Sequence, residues 1–216
     1  GTVHCYYVGT RPNQKHGVRY NGDWEIWVQE LDLKTMELIG ESKKIWKGAM
    51  HHVIWPEGPH LYKKDGYYYL FLSYGGLVAE GGYQIRIFRS ENITGPYVDE
   101  AGNSAVYTSQ ENNLFTNIGV RIMGSYDWSG NRETRVAQGH NSAYVSEDGE
   151  IYMVYHSRFA EGKNGITEAH EVRVQQLFVN EAGWLVAAPY EYTGEHISKT
   201  GYDMEQMCGE YEFIIH

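Results

Sequence analysis

Several common protein classes leave marks that this sequence lacks. Two cysteines in 216 residues, Cys5 and Cys208, are too few for a disulfide framework. No run of 18 apolar residues exists, so no segment reads as a membrane-spanning helix. Basic residues are scarce, 18 Lys and Arg against 28 Asp and Glu, and the net charge of -10 argues against nucleic acid or anionic membrane as partners. CxxC, HExxH, P-loop, GxGxxG and GxSxG signatures are all missing. Helical periodicity is weak throughout.

Glycine and aromatics are plentiful instead. The chain carries 25 Gly and 19 Tyr, a composition that favours pleated, half-buried strands over helices. One device recurs. Asp65-Gly66 is followed by the alternating run Tyr67 to Phe71, and Asp148-Gly149 by Glu150 to His156. Gly1 to Val8 reads as a third copy, beginning at its glycine. Each copy is followed by a second strand (Glu25 to Leu31, Gln84 to Ser90, Glu171 to Val179) and then by turn residues. Repeated antiparallel units of this size predict an all-β β-propeller, with a β-sandwich of hairpins as the alternative. The first copy has no strand before its glycine, so the chain is expected to begin inside a blade and to supply about two and a half blades. Residues 108–138 read as a long polar connection, and 208–216 as a strand.

One carboxylate stands out. Glu57 lies in Trp55-Pro56-Glu57-Gly58-Pro59, where two prolines restrict the backbone and aim the side chain. Trp55, Tyr62 and Tyr74 could wall it. A carboxylate against an apolar wall loses hydration, which favours the acid over its anion and suits a general acid. The plainer alternative is a Glu that caps a loop or pairs with Lys63 or Arg86. His140, in Gly139-His140-Asn141-Ser142, is read as a channel-facing residue beside a metal, or else as a hydrogen bond across blades. His156 ends a strand and could reach the same mouth, or be a satisfied half-buried histidine. Of the six tryptophans, Trp27, Trp46 and Trp184 read as core, while Trp55 and Trp128 read as loop platforms for a sugar face.

These residues carry a resemblance. Glu57-Gly58-Pro59, Gly139-His140-Asn141 and the run Ser73 to Ser90 resemble glycoside hydrolase family 43, most closely its two-domain endo-α-1,5-L-arabinanases. The resemblance implies a five-bladed β-propeller, of which residues 1–200 would be the C-terminal part. Residues 201–216 would be a linker and the first strand of a C-terminal β domain. It implies an inverting glycosidase with Glu57 as general acid; Trp55, Tyr74, Trp128 and His156, read from their local sequence, are then expected near the substrate. It further implies His140 beside a metal ion, of which calcium is the expected identity. The family also uses two aspartates, a general base and an orienting residue. No position here matches either, so the chain alone is expected to be inactive and to need the rest of the propeller as its partner. Secretion, or export to the periplasm of a bacterium, goes with this reading. The stretches Gly22 to Thr35 and Trp55 to Leu70 look more like the family's β-xylosidase branch. The alternatives are therefore a β-xylosidase or α-L-arabinofuranosidase acting on xylan, and a carbohydrate-binding propeller without turnover.

Overall fold

The computed structural model describes residues 5–15, 18–48, 56–106, 118–125, 133–195 and 201–213, with the backbone alone described for 5–24. Three antiparallel sheets follow one another along the chain. The first contains β1 (Cys5–Lys15), β2 (Val18–Leu31) and β3 (Leu38–Gly48). The second contains β4 (Glu57–Lys64), β5 (Tyr67–Tyr74), β6 (Gln84–Ser90) and β7 (Val120–Met123). The third contains β8 (Arg135–Val145), β9 (Ile151–Phe159), β10 (His170–Val179) and β11 (Leu185–Ala187). Within each sheet every strand pairs with the next in sequence, so all three sheets are meanders.

The repeated Asp-Gly device makes the hairpins. Asp65 and Gly66 both take positive φ, 49° and 88°, and Lys64 pairs directly with Tyr67 across them. Two left-handed central residues define the tight turn whose twist matches that of the strands.

Alternation along β5 explains how the sheets stack. Tyr69 and Phe71 join Ile85 and Ile87 against Met153, Leu177 and Trp184 of the third sheet. Leu70, Leu72 and Tyr74 point the other way and pack on Ile26, Val28, Ile45 and Trp46 of the first. Successive strand residues face opposite sides, so the middle sheet is apolar on both faces and is covered on both. Burying each such side chain is worth about 1.5–3 kcal/mol. Polar and cationic links also cross between sheets. Tyr69 donates to the carbonyl of Gly183 at 2.5 Å. Arg89 donates to the Ala182 carbonyl at 2.7 Å, and its guanidinium lies 4.1 Å from the centre of the Trp184 ring.

Three sequence expectations need correction. The stretch 108–138 is not one connection, because it contains β7 and the start of β8. Val120–Met123 is only four residues, too short for alternation to show. The tail is not a strand where it is described: Met204–Met207 is a short helix with an Asp203/Gln206 capping box, and 208–213 pair with nothing among the described residues. Tyr211 and Phe213 stand exposed there, so no sheet edge holds them extended. Finally, Trp27 is not core. Ile26 and Val28 take the inner face of β2, which leaves Trp27 half-buried under Lys44 and bonded to Glu25. Trp46 and Trp184 are buried as expected.

Candidate active site

The site forms where the opening strands of the second and third sheets lie side by side. Both carry bulges at matching places. On β4, three steps from Glu57 to His60 face two steps from Ser73 to Phe71 on β5. On β8, three steps from Gly139 to Ser142 face two from His156 to Val154 on β9. A bulge leaves one residue unpaired and re-aims its neighbours. Gly58 occupies the first bulge at φ 57° and His140 the second at φ 52°. The two touch: a Cβ on Gly58 would lie 3.1 Å from the His140 ring. His140 is therefore a bulge residue within β8.

Glu57 is half-buried behind the buried Pro56. Its Oε1 accepts a 2.5 Å hydrogen bond from the Tyr83 hydroxyl. Neither Lys63 nor Arg86 is its partner. Lys63 lies over the Tyr68 ring, while Arg86 is buried and donates to Gln84 and to the Ile118 carbonyl. Burial, and then the bond to Glu57, push the Tyr83 phenol well above the ordinary tyrosine range, so it remains a donor. The Tyr83 ring is fully buried and stacks on His156 at a centroid distance of 5.6 Å. His156 in turn meets His170 edge-on at 5.8 Å. Burial, followed by the neighbouring His170, Arg158 and His140, lowers the pKa of His156 and keeps the ring neutral.

The expected site residues thus divide. Glu57, His140 and His156 come together. Tyr74 does not join them: it is fully buried in the core, edge-on to Trp46 and beneath Arg86, where no sugar could touch it. Tyr62 is likewise a core residue stacked on Tyr69. Trp55 and Trp128 lie outside the described residues. Tyr83 was not anticipated; its only local signal is the preceding pair Gly81-Gly82. Ser73 was also missed, although its hydroxyl accepts the His140 backbone N–H.

A calcium ion needs six to eight oxygen ligands. Among the described residues no three His, Cys, Asp or Glu side chains converge, and an imidazole beside a glycine is not such a set. The residues described here do not fit the expected calcium, and no chemistry is assigned to a metal.

The sequence profile described as glycosyl hydrolases family 43 matches residues 3–185, and the chain belongs to this family. An extracellular endo-α-(1→5)-L-arabinanase 2 of Bacillus subtilis (strain 168) is 41% identical over 206 residues, covering 88% of this chain and 42% of that protein. A xylosidase/arabinosidase of Butyrivibrio fibrisolvens is 65% identical over 89 residues, covering 41% of this chain and 17% of its own length. Among solved structures, the endo-1,5-α-L-arabinanase of Thermotoga petrophila RKU-1 superposes with a TM-score of 0.72 at 34% identity, over 89% of this chain and 45% of that one. The chain spans less than half the length of each of these proteins. No helix among the described residues is long and apolar enough to cross a membrane.

Proposed function

We propose that this chain is part of an inverting glycosidase that cleaves α-1,5-linked arabinan, with Glu57 as its general acid. The observation that carries the reading is the bond from Tyr83 to one oxygen of a half-buried carboxylate set at a bulge. The tyrosine restricts the carboxyl group's rotation and leaves Oε2 for the leaving group. Glu57 gives its proton to the glycosidic oxygen as the C–O bond breaks. A water on the opposite face attacks the anomeric carbon and passes its proton to a carboxylate base. In inverting enzymes those two carboxyl groups stand about 6.5–9.5 Å apart, with room for the water between them. No residue here is assigned as the base.

The whole enzyme would be a five-bladed propeller acting outside the cytoplasm, with Trp55 and Trp128 as sugar platforms and His156 at the rim. The arabinanase similarity along nearly the whole chain supports arabinan as substrate. The dense local identity to a xylosidase/arabinosidase supports a second reading, release of xylose or arabinose from xylan. Product analysis on the two polymers separates them.

Glu57→Gln in the full-length protein tests the acid. General acid catalysis is worth about 10²–10⁴-fold, and arabinan cleavage should fall by that order. The loss should be much smaller on an arabino-oligosaccharide carrying an acidic aryl leaving group, which needs little protonation. Equal losses on both substrates would remove Glu57 from the role. A wild-type protein that binds arabinan and never cleaves it would instead be a carbohydrate-binding propeller.

A further inference from the structure

Oε1 of Glu57 is already engaged before any substrate arrives, and the group that engages it is built in with unusual care. We infer that Tyr83 is a positioning residue which assigns the acidic proton to Oε2 of Glu57 and strengthens its hold as that proton leaves. This rests on Glu57 being the general acid.

A phenol has one hydrogen to give, and Tyr83 gives it to Oε1 at 2.5 Å. An oxygen that already accepts a short hydrogen bond is the poorer place for the carboxylic proton, so the proton sits on Oε2. During cleavage it moves from Oε2 to the glycosidic oxygen, which keeps the electron pair of the breaking C–O bond. Glu57 is then an anion, and the bond from Tyr83 becomes charge-assisted and stronger. An interaction that strengthens along the reaction lowers the barrier and does not merely improve binding. Tyr83 keeps its own proton throughout.

The ring's place is fixed from two sides. A Cβ on Gly139 would lie 1.9 Å from the Tyr83 ring, so the residue before His140 has to be glycine for the ring to fit. His156 stacks on the ring. Tyr83 is wholly buried and is no sugar platform. Gly139 and His156 thus reach the acid through Tyr83.

Tyr83→Phe in the full-length protein keeps the ring and removes the hydroxyl. A hydrogen bond to a charged group is worth roughly 10- to 100-fold, so kcat on arabinan should drop by that amount with KM within about twofold. On the substrate with an acidic aryl leaving group the drop should stay below about threefold, because proton donation matters little there. Gly139→Ala should show the same split more severely if it folds; if it does not, the Phe variant alone carries the test. Equal losses on both substrates, or an unchanged kcat on arabinan, would overturn the positioning role. Glu57→Gln measured alongside separates the two ideas. If it abolishes arabinan cleavage while Tyr83→Phe does nothing, only the positioning role fails. If it leaves cleavage intact, the acid assignment fails and the inference goes with it.

Discussion

The backbone N–H of His140 donates to the hydroxyl of Ser73 at 2.6 Å, and Ser73 is itself the strand partner of Glu57. One buried hydroxyl therefore joins the bulge that carries the acid to the bulge that carries the histidine. Removing it leaves the His140 N–H without its acceptor. Ser73→Ala should lower the free energy of unfolding by about 1–3 kcal/mol, the usual penalty for orphaning a buried donor. Urea denaturation followed by tryptophan fluorescence measures this. No shift in midpoint would mean that the bond contributes nothing net.

Two glycines with left-handed backbones separate stability from function. Gly58 (φ 57°) lies against the His140 ring, whereas Gly149 (φ 82°) has nothing within 4 Å of where a Cβ would go. Alanine at either should cost about 1–2 kcal/mol for the conformation alone. Only Gly58→Ala should also lower kcat, because its methyl group pushes His140 and turns the neighbouring carboxylate. Thermal melts and arabinan assays on both variants check this, and equal kcat values would contradict it.

Acid should weaken the fold through its half-buried histidines. Burial lowers the pKa of His60, and its Nε2 accepts the Ala143 N–H at 3.0 Å, a bond that protonation would break. His156 is lowered as well, by burial first. An unfolded histidine titrates near 6.5, so as pH falls below about 6.5 the unfolded chain takes up protons that the folded one refuses. Stability should be fully present above that pH and decline below it, down to the lowered folded-state values. His60→Gln, which keeps an acceptor, should flatten part of the slope between pH 7.5 and 5.5. Urea midpoints across that range decide the matter, and a slope unchanged in the variant would exclude His60.

How much of this was legible beforehand depends on the range of the forces involved. The Asp65-Gly66 hairpin was readable because a tight turn is set by its own two residues. Glu57 was readable because prolines announce a fixed backbone. Tyr83 was not, since its choice of partner depends on Gly139, more than fifty positions away, leaving room for a ring. Tyr74 was misjudged for a related reason: it alternates correctly along β5, but both faces of that strand are covered, so neither offers a wall to a ligand. Trp27 shows the converse, an aromatic set outward because Ile26 and Val28 claim the inner face. Residues 208–213 form no strand because a strand exists only when another strand accepts its hydrogen bonds, and none does so among the described residues.

The two bulges in β8 bear on how this gene can change. Between Val136 and Ser142 the strand holds two residues more than β9 can match, with left-handed backbones at Ala137 and His140. Deleting a single codon there would be harmful in a way that no substitution is. It would erase one of the bulges and restore one-to-one pairing with β9, so the flanking strand would keep its partners while the left-handed backbone that sets His140 against Gly58 was lost or re-aimed. Insertions and deletions should therefore be tolerated in the connections and purged from this seven-residue stretch, even where individual side chains drift.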